Sequence, residues 1–322
     1  ETPFSYLHAL AYAGARERYR PLGSAPARQL ARELDLIDKL DLAGYFLIVW
    51  DIIRFCKEKK ILAQGRGSAA NSAVCYSLGI TAVDPVGMEL LFERFLSEER
   101  GEWPDIDIDL PSGDERERVI QYVYKRYGER GAAMTANVIT YRGRSAAREV
   151  GKVLGFSQEQ LDRLSRIFRG YGFGEPPGPH PPGSAKASDT LGADVASVGM
   201  DPSDSRVALF IKLCQEIQGL PRHLGQHSGG MVIAAGRLDE VVPLQPASMP
   251  GRVVVQWDKD DCADLGIIKV DLLGLGMMAV LAESVELVQE HEEKKVDLAH
   301  LPQNDTSIYD MLCAADTIGL FQ

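Results

Sequence analysis

Residues 104–109 of this chain read Pro-Asp-Ile-Asp-Ile-Asp, an alternation of acidic and apolar side chains with a period of two. The side chains of a β-strand point alternately to its two faces, so the three aspartates share one face while the isoleucines bury the other. The alternative to a functional site is an exposed edge strand whose aspartates simply face water. Aspartate is disfavoured in strands, however, and like charges on one face repel unless a cation lies between them. The stretch therefore predicts a strand with a metal site, and magnesium prefers carboxylate oxygen.

A second stretch, residues 267–273, is apolar apart from Lys269 and Asp271, which lie two residues apart and hence on one face of a strand. One interpretation is a buried ion pair. The other is a third metal carboxylate beside a lysine that contacts phosphate, and the local sequence leaves both open. Two carboxylates on one strand and a third on another could hold two ions about 3.5–4 Å apart, which is the arrangement of nucleotidyl transfer.

Residues 65–72 read Gly-Arg-Gly-Ser-Ala-Ala-Asn-Ser and predict a turn that opens a helix. Free amides and the helix dipole at such a turn favour an anion, and Arg66 adds a guanidinium fork for phosphate oxygens. The spacing fits neither a Walker motif nor a dinucleotide fingerprint. An N-capped helix packed through its small residues explains the segment equally well.

Two histidines, His223 and His227, lie four residues apart, as they do in zinc-binding helices. The glutamate of an HExxH motif is absent, and Gly225 with the glycine pair at 229–230 predicts a turn. Contact with a substrate, or simple packing, is therefore favoured over zinc.

The net charge of −11 argues against a nucleic-acid partner, but the local distribution of charge matters more than the sum. Seven basic and three acidic residues lie between positions 137 and 169, a local charge of +4. A helical stretch over 145–169 carries most of these basic residues and could hold a nucleic-acid backbone.

The composition, with 45% hydrophobic and 25% charged residues, is that of an ordinary soluble globular protein. No apolar run approaches the roughly 20 residues that cross a bilayer, and the N-terminus has no signal-peptide pattern, so we expect a cytoplasmic protein without a membrane partner. The absence of an initiator methionine suggests a piece of a longer protein. The five dispersed cysteines indicate neither a disulfide framework nor a thiolate zinc site.

The order of apolar periodicities indicates an α/β or α+β core with an insertion, because strands return after a helical excursion. A Gly/Pro-rich segment at 170–183 predicts a linker that continues to about residue 204. Helices are predicted over 24–40, 45–56, 69–78, 89–95, 116–127, 207–217 and 277–288, and further strands over 133–139, 231–234 and 253–256.

Five segments, in order, resemble the motif set of bacterial DNA polymerase III alpha subunits. They are residues 45–51 (Tyr-Phe-Leu-Ile-Val-Trp-Asp), 65–68 (Gly-Arg-Gly-Ser), 91–96 (Leu-Phe-Glu-Arg-Phe-Leu), 104–109, and 269–271 (Lys-Val-Asp). The resemblance runs nearly end to end, except over the Gly/Pro linker. It implies an α/β (α+β) fold in which a mixed sheet forms a palm similar to the polymerase beta nucleotidyltransferase fold, with a mostly helical thumb insertion.

The resemblance also implies the domains of the chain. Residues 1–136 and 223–275 would form the palm, 137–222 the thumb insertion with its Gly/Pro linker, and 276–322 the start of the fingers. The PHP domain that precedes the family's polymerase would be missing. Because most of the fingers would be missing as well, we expect little or no activity from this fragment alone.

Functional residues are implied in the same way. The metal carboxylates and catalytic residues would be Asp105, Asp107 and Asp271, holding two Mg²⁺ ions with Mn²⁺ as a substitute, while Asp109 belongs to the motif without being a usual ligand. The nucleotide-binding residues would be Arg66, Gly67, Ser68, Arg94 and Lys269. The predicted DNA-binding residues are Arg142, Arg144, Arg148, Lys152 and His227.

The activity implied is template-dependent addition of dNMP to a primer 3′-hydroxyl. One metal would lower the pKa of that hydroxyl, and the other would stabilise the departing pyrophosphate. The partners would be primer–template DNA, a dNTP, and further polymerase or mutasome subunits.

Three details favour the error-prone, damage-induced branch of the family over the replicative one. Residues 69–76 replace the glycine-rich GRGSGAGS-like continuation, Gln226 stands where replicative forms tend to have lysine, and residues 138–142 replace a phenylalanine–glycine pattern. The alternatives are a replicative alpha subunit, a non-catalytic nucleic-acid-binding module, and a zinc hydrolase that uses His223 and His227.

Overall fold

The computed structural model describes residues 2–98, 104–168, 195–234, 236–267, 269–296, 298, 301 and 304–318. The predicted linker at 170–183 lies outside the described residues. The chain divides into two compact units, a larger one (1–136 with 226–322) and a smaller one (137–225). The sequence placed the second division at 222/223, three residues earlier, and the palm, thumb and fingers identities remain predictions.

The larger unit begins with four helices, α1 (Pro3–Arg18), α2 (Ser24–Lys39), α3 (Ala43–Glu58) and α4 (Ala73–Leu78). Sequence periodicity did not predict α1, which buries mainly Leu7 and two alanines. It packs so closely on α4 that a Cβ at Gly14 would lie 1.9 Å from the carbonyl oxygen of Ser77. Small residues at this contact leave a weak apolar stripe, which is why the helix was missed.

A mixed seven-stranded sheet confirms the predicted fold class. Its strands are β1 (Gln64–Arg66), β2 (Ile106–Pro111), β3 (Ala132–Thr140), β4 (Pro221–Ile233), β5 (Leu244–Pro246), β6 (Val253–Val255) and β7 (Lys269–Leu275). Their order in the sheet is β1-β2-β7-β4-β3-β6-β5. The central pair, β2 and β7, is parallel, β1 runs antiparallel to β2, and β4 runs antiparallel to β7.

Each strand of the central pair leads directly into a helix, α5 (Asp114–Tyr127) after β2 and, after β7, a long helix at Gly276–Glu292. Ile106 and Ile108 are fully buried beneath the sheet, as their alternation with aspartate predicted. Further helices among the described residues are α6 (Gly143–Val153), α7 (Gln158–Ile167), α8 (Ser205–Glu216), α9 (Lys259–Asp264), α10 (the Gly276–Glu292 helix) and α11 (Thr306–Cys313).

The smaller unit has a core of its own, formed by α6, α7 and α8 around Phe168 and Phe210. The prediction of one helical stretch over 145–169 is wrong in one respect, because two helices occupy it. Gly155 stands between them with φ +71°, a conformation that ends a helix, and Ser157 then caps α7.

Two further predictions are wrong. The helix predicted at 89–95 is only a 3₁₀ turn over Phe92–Arg94. The turn predicted at Gly225 is part of β4, which begins at Pro221, ten residues before the predicted strand. Glycine is needed in this strand because the neighbouring strand β7 lies very close: a Cβ at Gly229 would lie 2.7 Å from the side chain of Leu273.

Within the described part of the chain, no helix is both long and apolar enough to cross a membrane.

Candidate active site

The register of the central strands brings together the acidic residues that the sequence singled out. Asp107 of β2 lies directly opposite Asp271 of β7. The flanking strands extend the row, because Arg66 of β1 pairs with Asp107, and Gly230 of β4 pairs with Asp271. Asp105 stands one residue before β2 begins.

A group of carboxylates forms at this point of the sheet. Ligand oxygens of Asp105, Asp107 and Asp271 all lie within 4.8 Å of one another, and no other group of three or more metal-ligating side chains occurs among the described residues. One carboxylate oxygen of Asp271, Oδ1, is buried without a hydrogen-bond partner. A buried acceptor with no donor is rare and needs an explanation, and three convergent carboxylates suit a hard divalent cation.

Asp109 does not join this group, although it shares a face with the other two aspartates of β2. Its Oδ1 lies 3.5 Å from Nε of Arg66, and Nη2 of the same arginine lies 3.6 Å from Oδ2 of Asp107. Arg66 therefore offsets part of the negative charge of Asp107 and Asp109.

Lys269 supplies the second cation. Its Nζ donates hydrogen bonds to both oxygens of Asp105, at 2.9 and 3.1 Å, and to Oδ2 of Asp271 at 2.9 Å. Burial disfavours the charged ammonium, but the hydrogen bonds that it donates to these two carboxylates outweigh that effect and raise the pKa of Lys269. The two interpretations of this strand are thus compatible, because Asp271 both pairs with Lys269 and belongs to the cluster of three carboxylates.

The site keeps a net negative charge despite these two basic side chains. Four aspartates face Arg66 and Lys269, which leaves a formal charge of −2. Burial, followed by the charges of Asp105 and Asp271, raises the pKa of Asp107 against the opposing effect of the two cations. The carboxylate site is defined by these six side chains: Arg66, Asp105, Asp107, Asp109, Lys269 and Asp271. One divalent cation would balance its remaining charge.

The glycine–serine turn adjoins the carboxylate site. Gly67 has φ +71°, which glycine adopts without strain, and a Cβ there would lie 4.0 Å from Oδ2 of Asp107. Ser68 is half-buried in a 3₁₀ turn over Gly67–Asn71. The turn over Phe92–Arg94 packs against it, and Arg94 itself is exposed.

The helix that follows this turn cannot offer its N-terminus to a phosphate. The amides of Ala73 and Val74 donate to the carboxylate of Glu33, at 2.9 and 3.0 Å, and Ser72 donates its hydroxyl to the same group. Glu33 is fully buried, and burial raises its pKa. The first amides of α4 are therefore satisfied by a carboxylate, as in an N-capped helix, and phosphate contact by Arg66, Gly67 and Ser68 stays a prediction.

Four of the five residues predicted to bind DNA, all but His227, line a groove of about 590 Å³ in the smaller unit. Two of them are paired within the unit, Arg148 with Asp162 at 3.2 Å and Lys152 with Glu149 at 3.4 Å. Arg222 also lines the groove and was not predicted, because it lies far from the basic run in the sequence. The basic groove is defined here by Arg142, Arg144, Arg148, Lys152 and Arg222.

The two histidines do not form a zinc site with any third residue of the described chain. His223 is exposed on β4. His227 accepts the amide hydrogens of Gly229 and Gly230 at Nδ1, at 3.2 and 2.5 Å, so its proton resides on Nε2. A Cβ at Gly230 would lie 2.8 Å from this nitrogen and 3.1 Å from Oδ1 of Asp271, so only glycine fits beside the carboxylate.

Two side chains that hold the central strands were not foreseen. Arg116 of α5 donates from Nε to the carbonyl of Leu272 at 2.8 Å. Tyr45 of α3 has its hydroxyl between β2 and β7. Arg116 and Leu272 are more than 150 positions apart in the sequence, and Tyr45 and Ile106 are more than 60 apart. No local sequence pattern could therefore reveal these contacts.

Comparison with known proteins identifies the family. Residues 5–274 match the bacterial DNA polymerase III alpha NTPase domain, and residues 277–322 match the finger domain of the bacterial DNA polymerase III alpha subunit. The chain belongs to the bacterial DNA polymerase III alpha family, as the five ordered segments predicted.

The chain is similar to several proteins named error-prone DNA polymerase. It is 50% identical to that of Anaeromyxobacter dehalogenans strain 2CP-C over 330 residues, which cover 98% of this chain and 28% of the relative. It is 51% identical to that of Mycobacterium tuberculosis strain H37Rv over 323 residues, 100% of this chain and 27% of the relative. The chain thus spans little more than a quarter of these relatives.

Proposed function

We propose that this chain provides the catalytic carboxylates of a DNA-directed DNA polymerase of the error-prone branch, which extends a primer opposite damaged template. The observation that carries the proposal is the convergence of Asp105, Asp107 and Asp271 between two basic side chains. The relatives named error-prone DNA polymerase support the choice of branch over a replicative subunit.

The three carboxylates would hold magnesium, as two ions, with manganese as a substitute. Bound there, the metal would lower the pKa of the primer 3′-hydroxyl and neutralise charge on the leaving pyrophosphate. Lys269 and Arg66 would orient the triphosphate through charge-assisted hydrogen bonds. Gly67 and Ser68 would contact it with backbone and hydroxyl groups, because the start of α4 is already occupied.

The basic groove would bind the phosphates of primer–template DNA. Arg142 and Arg144 are exposed there, and Arg222 adds to the residues that the sequence suggested. His227, protonated at Nε2, would donate a hydrogen bond to DNA or to the primer terminus. The palm, thumb and fingers assignment, further polymerase or mutasome subunits, and a cytoplasmic location belong to the same proposal and rest on the family.

Replacing Asp107 by asparagine in the full-length enzyme tests the proposal. It should abolish dNMP incorporation while primer–template affinity, measured by fluorescence anisotropy, changes less than about twofold, because the carboxylate serves the reaction and DNA affinity comes from phosphate contacts. Asp239→Asn, which changes an aspartate of the larger unit that pairs with Arg237 outside the carboxylate site, is the control and should keep most of the activity.

Extension at the wild-type rate by the Asp107 variant would contradict the assignment. A wild-type enzyme that binds DNA but never extends a primer would favour the non-catalytic alternative. Misincorporation and lesion-bypass rates then separate the error-prone from the replicative branch.

A further inference from the structure

Tyr45 connects the two strands that carry the carboxylate site. Its ring is buried, with 7% of the residue exposed. The hydroxyl accepts a hydrogen bond from the amide of Ile106 at 3.0 Å and donates one to the carbonyl of Lys269 at 3.3 Å. Ile106 is the first residue of β2 and Lys269 the first of β7, so the hydroxyl joins these strands where both begin.

This end of the strand pair is where the site most needs support. Asp107 and Asp271 are register partners inside the ladder, which fixes the backbone on both sides of each. Asp105 lies before the first paired residue. Its own peptide bond to Ile106 carries the amide that Tyr45 holds.

The opposite partner of the same hydroxyl is equally well placed. Tyr45 holds the carbonyl of Lys269, and the ammonium of Lys269 in turn bonds both oxygens of Asp105. One phenol thus restrains the backbone positions from which both members of this ion pair project. Because α3 is packed in the core of the larger unit, the restraint is anchored in rigid structure.

We infer that Tyr45 is a positioning residue that sets the distance between Asp105 and Asp271, and thereby the affinity of the site for a divalent cation. The inference rests on the proposed metal-binding function. Residues behind the ligands commonly determine metal affinity, because they fix the orientation of groups that touch the ion.

Another tyrosine of the chain provides a matched control. Tyr124 of α5 is also buried, with 6% exposed, and its hydroxyl also makes two backbone hydrogen bonds, accepting from the amide of Val253 at 3.2 Å and donating to its carbonyl at 2.9 Å. Val253 is in β6, separated from β7 by two strands. Tyr45→Phe and Tyr124→Phe therefore remove equivalent hydroxyls near to and away from the carboxylates.

The experiment measures Mn²⁺ affinity by titration calorimetry, and the melting temperature, for the 322-residue chain and both variants. Both substitutions should lower the melting temperature, since each leaves two backbone groups without their partner. Tyr45→Phe should weaken Mn²⁺ binding by about tenfold, whereas Tyr124→Phe should leave it unchanged.

Wild-type Mn²⁺ affinity in Tyr45→Phe, or an equal loss in Tyr124→Phe, overturns the positioning role while leaving the metal site in place. A wild-type chain that binds no Mn²⁺ overturns the metal function itself, and the inference with it. If Tyr45→Phe does not fold, 3-fluorotyrosine at position 45 retains the hydroxyl but changes its donor and acceptor strength. Its Mn²⁺ affinity should then differ from wild type, unlike that of the same substitution at position 124, and an unchanged value overturns the role.

Discussion

The carboxylate site and the basic groove balance charge in different ways. The carboxylate site gathers its charges from three separate parts of the sequence and partly buries them, with two cations for four aspartates. The basic groove takes most of its charges from one helix and leaves them largely in solvent, where Glu149 and Asp162 pair with three of its five basic residues. Burial makes electrostatic interactions stronger, so removing one charge should have a large effect in the first region and a small one in the second.

The largest effect on stability is expected for Lys269→Met. The substitution keeps an unbranched apolar stem of similar length but leaves the buried Asp271 and the half-exposed Asp105 without their ammonium, and breaking a buried pair costs about 3 kcal/mol. Urea unfolding in the presence of a chelator measures the loss, which saturating Mg²⁺ should largely restore. Lys39→Met, which breaks an exposed pair with Glu98, is the control and should change stability by less than about 1 kcal/mol. Equal losses in the two variants would show that burial does not strengthen the ion pairs of the carboxylate site.

A smaller effect concerns pH. The folded-state pKa of Asp107 is raised by burial and by its acidic neighbours, so the native state holds this proton more tightly than the unfolded state. Its contribution to stability is therefore complete below the ordinary aspartate pKa and is lost as pH rises through the raised value. In chelator, Asp107→Asn should flatten this decline at pH values above the ordinary aspartate pKa of about 4, as followed by urea unfolding at each pH. Parallel curves for the variant and wild type would contradict the shift.

In the basic groove, Arg222→Ala should weaken binding of a primer–template by about threefold at moderate salt. The slope of log affinity against log salt should fall by about one, as expected for one lost phosphate contact. Fluorescence anisotropy across a salt series measures both. Arg237→Ala, which removes an exposed arginine of the larger unit paired with Asp239, should leave the slope unchanged. An unchanged slope for Arg222→Ala would remove that residue from the interface.

The smallest effect is expected for Asp162→Asn. The pair between Arg148 and Asp162 is short, at 3.2 Å, but both side chains are more than 40% exposed. Exposed pairs contribute about 0.5 kcal/mol or less, so thermal unfolding should barely change. A loss comparable to that of Lys269→Met would show that the two regions do not differ.

Local patterns predicted the parts of this molecule that local physics decides. The alternation around Ile106 and Ile108 identified the strand and its buried face, because a strand exposes its two faces in turn. The same alternation did not predict that Asp109 would stay outside the cluster formed by Asp105, Asp107 and Asp271. That outcome depends on the register with β7, which is set by residues more than 150 positions away.

Other features were hidden because one residue type serves different purposes. Gly229 and Gly230 were interpreted as a turn, although they lie within a strand where larger residues would collide with its neighbours. Tyr45 and Glu33 lie in helices that were predicted well, yet their partners come from distant segments. A helical pattern indicates which face is buried, but not which buried polar group meets which backbone amide.

Glu33 has a consequence for how the glycine–serine turn responds to a ligand. The carboxylate already satisfies the first amides of α4, so this helix is capped whether or not a triphosphate is present. Nucleotide arrival and departure would then leave the helix folded, and none of the binding free energy would be spent on ordering it. On the proposed function, the start of α4 would be a preformed surface that is the same with and without nucleotide.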